Sequence, residues 1–380
     1  MKVGISLLWL VPGYRGLETY VRGLLAGLDQ TDHHNHYVLF TNPQNHASFA
    51  HLSERFTRRL CPMPIKSRVA WRIAEQALAP RYAAQERLDL LHAPADLIPL
   101  KRSCATVVTI HDVNFYSLSD RLPVSASRLF ELWVKRSARR ADAIITVSRF
   151  SGAQISANCG VADSRIAVIY NAPAIWKPPS AARWPQLARR LGIHSDYLVT
   201  FADGSPHKNL GALIQAFTQL GSSDRLRLVV VGDRAKQARW IRRLHANPRL
   251  RGSIIFTGYL GDDDLSLVLG NSRLLAFPSL YEGFGLPVVE AMAVGIPVAC
   301  ARAAALPEIA GDAALFFSPS DTAAMTRAIE TLLTNEPLRK NLAAAGRARA
   351  AHFSWTRAAR QTMEVYERAA GGWERPRRVS

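Results

Sequence analysis

The fold of this chain is decided by one stretch of its sequence, Phe277-Pro278-Ser279-Leu280-Tyr281-Glu282-Gly283-Phe284-Gly285-Leu286-Pro287-Val288-Val289-Glu290-Ala291-Met292-Ala293. A short apolar run opens the stretch, a glycine-containing loop follows, and an apolar pattern of helical period closes it. This order predicts a strand, a loop and a helix, which is the repeating unit of a parallel α/β sheet. Ligands of such sheets bind at the carboxyl ends of the strands, so the loop is a candidate binding site.

The residues of this loop suit a ligand that is both hydroxylated and anionic. Gly283 and Gly285 let the backbone approach a ligand closely, and the start of the following helix favours an anion. Glu282 lies in the loop and Glu290 about one turn into the helix, so their carboxylates can reach opposite ends of one extended ligand. A carboxylate accepts two hydrogen bonds at once, as a ribose requires. The alternative, a glycine turn flanked by two solvated glutamates, leaves most of the string unexplained.

Outward from this stretch, short apolar runs alternate with amphipathic segments along the whole chain, a pattern typical of parallel sheets covered by helices. In the first half the predicted strands are Lys2–Leu10, Tyr37–Thr41, Leu88–His92, Thr106–His111, Ala143–Val147 and Ile166–Ile169. In the second half they are Tyr197–Ala202, Leu226–Val231, Ser253–Thr257, Leu274–Phe277, Val298–Ala301 and Ala314–Phe316. The predicted helices include Glu18–Leu28, Leu129–Ala138, Asn341–Ala351 and Trp355–Ala369.

Because the pattern restarts after a proline-rich segment, Pro173–Pro185, two domains of similar size are expected. We place the first domain at residues 1–173 and the second at 174–355. Residues 356–380 form a final helix followed by a basic tail. The chain length of 380 residues agrees with two domains that each bury a core.

The composition is that of a folded protein with an excess of positive charge. Apolar residues make up 48% of the chain, and 48 Lys+Arg against 30 Asp+Glu give a formal charge of +18. The charge is spread evenly, +8 over residues 1–175 and +10 over 176–380, which argues against a dedicated nucleic-acid module. Four scattered cysteines, without any C-x-x-C pair, indicate neither a zinc site nor a disulfide scaffold and fit a cytoplasmic protein.

The apolar N-terminus, Met1–Val11, could be read as a short secretion signal, but no small-residue cleavage site follows it. A buried first strand is the preferred interpretation. No apolar run is long enough to span a bilayer.

Three further loops carry residues of chemical interest. Lys208 lies in the loop that follows the predicted strand Tyr197–Ala202, where its ammonium group could neutralise a diphosphate. His111 ends a predicted strand and could bind a sugar hydroxyl or move a proton, although a lone histidine is often structural. Gly16 belongs to a glycine loop after the first strand, which lacks the dinucleotide fingerprint G-x-G-x-x-G.

Together these motifs resemble the family 4 glycosyltransferases, retaining enzymes of the GT-B fold, in which two Rossmann-like doubly wound domains face a central cleft. The resemblance covers nearly the whole chain. Its specific part is the E-x7-E spacing of Glu282 and Glu290 within E-G-F-G-L-P. Looser motifs follow in the family's order: Ala141–Ser151, Ile166–Asn171, Phe256–Tyr259, Leu306–Gly311 and Phe353–Trp355 followed by Tyr366.

The resemblance implies a nucleotide-sugar donor, GDP- or UDP-linked, on the second domain and a glycan or lipid-linked acceptor on the first. Glu290 would bind the ribose and Lys208 the diphosphate. Glu282 and the backbone of Gly283–Leu286 would hold the transferred sugar and its adjacent phosphate. The first expectation for the donor is mannose from GDP-mannose.

On the first domain, the resemblance implies that His111 lies over the donor sugar and that Gly16 lets the first loop approach the phosphates. It also implies that the C-terminal helix of residues 356–380 crosses back to the first domain. Neither a cofactor nor a metal is needed for such a transfer, since Lys208 and helix N-termini can stabilise the departing diphosphate. Three departures from the family pattern leave the donor preference open: Arg15-Gly16 in place of a glycine pair, Asn171-Ala172-Pro173 at the linker, and Asp203 where an arginine is common.

Two acidic or histidine-rich runs raise the question of a metal site. Asp262-Asp263-Asp264 contains D-x-D, but it precedes an apolar helical pattern, so acidic residues in a first helical turn explain it better. His33-His34-Asn35-His36 has no partner cluster and indicates a solvated turn. We therefore expect no bound metal.

Other functions remain open at this point. A sugar-nucleotide epimerase could use the same fold without an acceptor, and a basic nucleic-acid-binding protein would explain the charge. Peripheral attachment to the inner face of a membrane is a separate hypothesis. Basic residues mix with Trp in Arg58-Arg59, Lys66–Ile73 and Leu132–Arg140, a composition suited to an anionic lipid surface. Helices with solvated basic faces explain the same residues equally well.

Overall fold

A computed structural model describes residues 1–11, 15–62, 68–113, 124–174, 181–220, 226–245, 250 and 252–373. The chain divides into two compact units. The first is formed by the described residues within Met1–Phe115, Leu122–Ala172 and Ser354–Ser380, and the second by those within Pro173–Phe353.

The first unit is a parallel sheet covered by helices. Its strands are β1 (Lys2–Ser6), β2 (His36–Thr41), β3 (Phe56–Leu60), β4 (Leu90–Ala93), β5 (Ala105–Thr109), β6 (Ala143–Thr146) and β7 (Ile166–Val168). Its helices are α1 (Arg15–Thr31), α2 (Arg68–Gln85), α3 (Val124–Arg140), α4 (Arg149–Cys159) and, from the C-terminus, α13 (Trp355–Gly371). Short 3-10 turns lie at His46–Phe49 and Asp163–Arg165.

All described strand pairs of this sheet are parallel, and the strand order is β3-β2-β1-β4-β5-β6-β7. The order reverses between β1 and β4, which is the position where doubly wound sheets bind their ligands. Strands β1, β4 and β5 are almost wholly buried, because helices cover both faces of a parallel sheet.

Strand β1 ends at Ser6, whereas the apolar run predicted a strand to Leu10. The extra residues stay buried beyond the strand: the Leu7 amide still donates to the Phe40 carbonyl of β2 at 2.8 Å, and side-chain amides satisfy the carbonyl groups of Leu7, Leu8 and Leu10. Asn42 donates to the carbonyls of Leu8 and Leu10 at 3.0 and 2.9 Å. Asn45 donates to Leu7 and Leu10 at 2.7 and 2.9 Å. Burial therefore continues past the strand, and hydrophobicity alone overestimates its length.

Strand β3 was not predicted from the sequence. Four of its five residues, Thr57–Leu60, are exposed, and two of them are arginines. It lies at the edge of the sheet, where charged side chains prevent further strand pairing. An edge strand of this kind lacks the apolar run by which the buried strands were recognised.

The C-terminal helix α13 belongs to the first unit and packs along α1. A Cβ atom at Gly23 of α1 would lie 2.1 Å from the Trp355 ring, and one at Gly27 would lie 2.3 Å from the Trp355 carbonyl oxygen. These two glycines form a notch that admits the tryptophan. Trp355 therefore belongs to the first unit, although the sequence boundary assigned it to the second domain.

The second unit repeats the architecture. Its strands are β8 (Tyr197–Phe201), β9 (Arg227–Val231), β10 (Ile254–Gly258), β11 (Leu274–Phe277), β12 (Val298–Ala301) and β13 (Leu315–Phe317). Its helices are α5 (Trp184–Leu191), α6 (Leu210–Thr218), α7 (Arg234–His245), α8 (Asp262–Gly270), α9 (Leu286–Ala293), α10 (Leu306–Ala310), α11 (Thr322–Thr334) and α12 (Glu336–Ala350). Short 3-10 turns lie at Ala181–Arg183, Pro206–Lys208 and Gly311–Ala313.

The described strand pairs of the second sheet are again all parallel, in the order β10-β9-β8-β11-β12-β13. The reversal here falls between β8 and β11. The predicted linker Pro173–Pro185 extends too far, because Pro185 already lies in the first turn of α5. Proline is well suited to that position, since its missing N–H would be unpaired there anyway. Residues 175–180 of the predicted linker lie outside the described residues.

Two acidic side chains of the Asp262-Asp263-Asp264 run form ion pairs. Helix α8 begins at Asp262, so all three lie in its first turn, as predicted. Arg183 contacts Asp263 at 3.2 Å and Asp264 at 3.0 Å, and Arg190 contacts Asp264 at 2.5 Å. These carboxylates thus join the start of α8 to the α5 region.

Within the described ranges, no helix is long and apolar enough to cross a bilayer. All four cysteine thiols, Cys61, Cys104, Cys159 and Cys300, are buried and reduced.

Helix α2 buries a carboxyl group that the sequence did not single out. Glu75 is 1% exposed, and its Oε2 accepts a hydrogen bond from Ser6 at 2.6 Å, at the carboxyl end of β1. Its Oε1 has no hydrogen-bond partner among the described residues. Burial raises the pKa of Glu75 from 4.5 to about 7, and the Ser6 hydroxyl only partly offsets this.

We expect Glu75 to make the chain less stable as the pH rises. The folded state favours the protonated acid, so its stabilisation is complete below pH 4.5 and is lost as the pH rises through about 7. The variant Glu75→Gln mimics the protonated acid. It should unfold at nearly the wild-type temperature at pH 5 but be more stable at pH 8, by up to about 3 kcal/mol.

Thermal unfolding at the two pH values measures this difference. Glu86→Gln is the control, because Glu86 is a more exposed acid of the same unit, paired with Lys2 at 2.8 Å. It should show no gain at pH 8. Equal stability of wild type and Glu75→Gln at pH 8 would contradict the prediction.

Candidate functional site

Two loops of the second unit lie side by side because β8 and β11 are neighbours in its sheet. The loop after β8 carries Lys208 at the end of a 3-10 turn, and the loop after β11 carries Glu282. Both loops leave the carboxyl ends of their strands at the reversal of strand order, and each leads into a helix, α6 or α9. This is the position at which open α/β sheets bind ligands.

Hydrogen bonds tie the two loops together. The Leu280 amide donates to the His207 carbonyl at 2.8 Å. The Asn209 side chain donates to the carbonyls of Pro278 and Pro319, at 3.3 and 2.9 Å. Asn209 itself has φ 53°, a left-handed conformation that asparagine adopts more readily than most residues. It was not proposed as a site residue; its position directly after Lys208 was the available signal.

The loops bring Lys208 and Glu282 into direct contact. Lys208 Nζ lies 2.6 Å from Glu282 Oε1, and the two side chains are 19% and 14% exposed. The ammonium group also lies 5.5 Å from the centre of the Phe277 ring. The ammonium group of Lys208 is thus held between the two loops by the Glu282 carboxylate. An anionic ligand that binds Lys208 has to share it with Glu282 or displace Glu282.

The remaining residues of the decisive stretch form the turn into α9. Gly285 has φ 102°, which strongly favours glycine, and a Cβ there would lie 2.7 Å from the Leu306 side chain. Phe284 is buried and packs edge-on against Phe353, with ring centres 5.6 Å apart. Its side chain is therefore part of the core, so that only its backbone remains as a candidate ligand contact. Leu286 is the first residue of α9.

Glu290 lies in the second turn of α9, as the sequence indicated, and is only 3% exposed. A carboxylate so placed can accept hydrogen bonds in a site from which water is largely excluded. The structure thus brings Lys208, Glu282 and the Gly283–Leu286 turn together, with Glu290 on the helix that follows.

His111 and Gly16 belong to the first unit. His111 lies two residues beyond the end of β5, and its Nε2 donates to the Pro94 carbonyl at 3.0 Å. Burial lowers the pKa of His111 from 6.5 to about 4, against the opposing effect of that hydrogen bond. The imidazole is therefore neutral at pH 7, with its proton on Nε2 and a lone pair on Nδ1.

Gly16 is an exposed residue in the first turn of α1, and a Cβ there would have no atom of the described residues within 4 Å, its chain neighbours aside. Helix α1 begins at Arg15, three residues before the predicted start. Residues 12–14 of the glycine loop lie outside the described residues.

Comparison with known proteins identifies the family. The profile "Glycosyltransferase Family 4" matches residues 14–172, and "Glycosyl transferases group 1" matches residues 191–349. The O-antigen chain mannosyltransferase B of Escherichia coli is 32% identical over 302 residues, which cover 77% of this chain and 79% of that protein. The chain is a family 4 glycosyltransferase.

Solved structures support the same assignment at the level of the fold. Sucrose-phosphate synthase from Thermosynechococcus elongatus superposes with a TM-score of 0.77 at 19% identity, covering 98% of this chain and 100% of that one. Anabaena Alr3699/HepE in complex with UDP-glucose gives a TM-score of 0.73 at 19% identity, covering 97% and 99%. The predicted GT-B class with two Rossmann-like units is confirmed.

Within the parts of the glycosyltransferase that the structure describes, no group of three or more His, Cys, Asp or Glu residues is placed to hold a metal ion. The local cation of the site is the ammonium group of Lys208.

We expect Lys208 and Glu282 to depend on each other for stability. Lys208→Met leaves the Glu282 carboxylate largely buried without its partner, and should destabilise the second unit by about 1–3 kcal/mol. Adding Glu282→Gln removes the unpaired charge and should restore most of the loss. Thermal unfolding of the single and double variants measures this coupling.

The matched control is Lys340→Met, which breaks an ion pair of 2.7 Å whose side chains are 75% and 60% exposed. An exposed pair contributes little, so this variant should unfold like the wild type. If Lys208→Met were equally harmless, the contact between Lys208 and Glu282 would contribute nothing to stability.

Proposed function

We propose that this glycosyltransferase is a retaining, metal-independent enzyme that transfers mannose from GDP-mannose to a polysaccharide or lipid-linked glycan. One observation carries the proposal: a largely buried lysine, Lys208, held at the carboxyl ends of β8 and β11 by Glu282. A cation in that position matches the charge that a departing nucleoside diphosphate develops.

In the proposed reaction the bond between the anomeric carbon and the diphosphate oxygen breaks, and an acceptor hydroxyl oxygen forms the new bond to that carbon. The hydroxyl proton leaves with the nucleoside diphosphate. The transition state has oxocarbenium character, so negative charge accumulates on the leaving group. Lys208 stabilises this charge once it is released from Glu282, and the start of α9 adds its helix dipole.

The other residues of the second unit bind and orient the donor. Glu290 accepts hydrogen bonds from the ribose hydroxyls. Glu282 exchanges its contact with Lys208 for hydroxyls of the transferred sugar. The backbone of Gly283–Leu286 holds that sugar and the adjacent phosphate.

On the first unit, His111 binds a hydroxyl of the donor sugar. Its neutral Nδ1 accepts a hydrogen bond, while the bond from Nε2 to Pro94 fixes the tautomer. Gly16 leaves open space at the start of α1, where the backbone can approach the phosphates.

Mannose is the proposed sugar because the relative with 32% identity is named a mannosyltransferase. The UDP-glucose complex of Alr3699/HepE concerns a protein of only 19% identity, so it shares the fold but does not identify the donor. The donor is therefore best identified by comparing the binding of different nucleoside diphosphates.

GDP should raise the unfolding temperature of the protein more than UDP or ADP, because a ligand that binds only the folded state stabilises it. With GDP-mannose and a mannose-terminated acceptor, Lys208→Ala and Glu290→Ala should each lower kcat/KM at least about 100-fold. Lys340→Ala, at an exposed site, is the control and should retain full activity.

Transfer that survives both Lys208→Ala and Glu290→Ala would show the site assignment to be wrong. A larger rise of the unfolding temperature with UDP than with GDP would reject the guanosine donor. It would not contradict the assignment of the site residues. Release of an altered sugar nucleotide from donor alone would indicate an epimerase.

Metal independence is supported by Lys208, which already supplies a cation, and by the pairing of Asp263 and Asp264 with arginines. Chelation with EDTA should leave the rate unchanged, and a loss restored by Mg²⁺ would contradict this. Retention predicts that the product has the anomeric configuration of the donor, which NMR of the product determines.

We further propose that the enzyme works in the cytoplasm, at the inner face of a membrane, through a surface of the first unit called here the arginine–leucine face. Helix α3 carries five basic side chains against one acidic. Leu129, Leu132, Arg136 and Arg140 share one stripe of this helix, since their spacing follows the helical repeat. Leu129 and Leu132 are 47% and 66% exposed.

Neighbouring segments extend the arginine–leucine face. Gln76 of α2 bonds to the Ile98 carbonyl and the Leu100 amide at 2.9 Å each, and Arg140 bonds to the Leu100 carbonyl at 3.3 Å. Exposed Leu100 therefore adjoins α3, and exposed Ile73 lies three residues before Gln76 on α2. Exposed apolar groups among arginines suit an anionic lipid surface.

Arg58 and Arg59, which the sequence grouped with this face, lie on β3 instead. Arg59 pairs with Glu86 at 3.4 Å and stacks on the Tyr82 ring. Residues 66 and 67, from the second predicted basic segment, lie outside the described residues.

The enzyme should sediment with phosphatidylglycerol vesicles but not with phosphatidylcholine vesicles, and high salt should release it. Leu129→Ser with Leu132→Ser should weaken binding several-fold, because both leucines would insert into the lipid. Leu60→Ser, at an exposed leucine on β3, is the control and should bind normally. Equal binding to both vesicle types, or normal binding by the double variant, would contradict the proposal.

A further inference from the structure

Beneath His111, four buried polar side chains form a continuous chain of hydrogen bonds across the first unit. Tyr366 OH lies 2.7 Å from His92 Nδ1, and His92 Nε2 lies 2.8 Å from Thr109 Oγ1. The same Thr109 oxygen lies 2.8 Å from Tyr20 OH. The chain thus joins α13, β4, β5 and α1. Its members are at most 3% exposed.

The last member of the chain touches His111 directly. The Tyr20 and His111 rings meet edge to face, with centres 4.7 Å apart at 85°. Tyr20 also packs against Trp355 of α13, at 6.2 Å. The His111 ring is therefore confined on one side by Tyr20 and at Nε2 by the Pro94 carbonyl.

The proton positions in this network of hydrogen bonds are coupled because its histidine, His92, is neutral. Burial lowers the pKa of His92 from 6.5 to about 3, with a smaller contribution from His111. A neutral imidazole donates from one nitrogen and accepts at the other, so the proton positions along the chain depend on one another. Removal of one hydroxyl leaves a buried polar group without a partner and disturbs its neighbours.

We propose that Tyr20, His92, Thr109 and Tyr366 are positioning residues that hold the His111 ring in the orientation needed for sugar transfer. The inference rests on the proposed function, in which Nδ1 of His111 binds a donor hydroxyl. It assigns a further role to α13: the C-terminal helix supplies Tyr366, so its docking contributes to the geometry of His111. A core network without this role would stabilise the unit and leave the His111 ring unaffected.

Two variants break the chain with minimal change of shape. Thr109→Val removes the hydroxyl shared by His92 and Tyr20, and Tyr366→Phe removes the hydroxyl bound to His92. Imidazole ¹⁵N shifts in histidine-labelled protein report the tautomer of His111, whose signal His111→Gln identifies. We expect wild-type shifts of a fixed Nε2–H tautomer at pH 7 and averaged shifts in both variants.

The same variants should lower kcat about 10- to 100-fold while the KM for GDP-mannose stays within about 3-fold, since misplacement affects the transition state more than donor binding. Thr109→Ser keeps the hydroxyl and should restore both the shifts and kcat.

Tyr37→Phe is the matched control. Tyr37 is a fully buried tyrosine of the same unit, and its hydroxyl donates to Asp32, which is not a member of this network of hydrogen bonds. This variant should lower the unfolding temperature and leave the His111 shifts and kcat unchanged. Wild-type His111 shifts in both Thr109→Val and Tyr366→Phe would overturn the proposal, as would an equal disturbance by Tyr37→Phe.

Failure of the proposed function can be distinguished from failure of the positioning role. Full transfer activity in His111→Gln would show that His111 does not bind the donor, whereas the ¹⁵N shifts would still report whether the four residues position its ring.

Discussion

Strands β8 and β11 lie next to each other in parallel, although a whole βαβ unit separates them in the sequence. The strand order reverses at this pair, so the helices that follow β8 and β11 diverge and leave the two loops uncovered. Lys208 and Glu282, 74 residues apart, meet only because of this pairing. The hydrogen bonds of Leu280 and Asn209 then fix the distance between the loops. The candidate donor site of this glycosyltransferase is thus a consequence of sheet topology.

The first unit shows the same topology with a different use of polar groups. Here the carboxyl ends of β4 and β5 carry histidines, and burial keeps both His92 and His111 neutral. Neutral imidazoles can be buried at low cost when every nitrogen has a partner, as the chain from Tyr366 to Tyr20 provides. In the second unit, the Lys208 side chain instead lies against a carboxylate, that of Glu282, at 2.6 Å. One fold therefore supports a charged site and an uncharged one.

The strands that were predicted well are those in which the residues that pair in the sheet are also buried and apolar. Strands β11 and β12 were predicted with their observed limits, because both are fully buried apolar runs between turn residues. Prediction failed where strand pairing and burial do not coincide. Most of strand β3 pairs without being buried, and Leu8–Leu10 are buried without strand pairing, since Asn42 and Asn45 satisfy the carbonyls of Leu8 and Leu10. Pro185 indicated a linker but begins a helix.

By itself, the sequence determined the fold class, the family and the residue types of the site, because these depend on local order: strand, glycine loop, helix, and the E-x7-E spacing. Only the tertiary structure decided which groups meet. It paired Lys208 with Glu282, turned the Phe284 side chain into the core, and brought Tyr366 of the C-terminal helix to His92, 274 residues away. The physical reason is that contacts between distant segments, and the pKa shifts that burial causes, depend on packing and not on spacing along the chain.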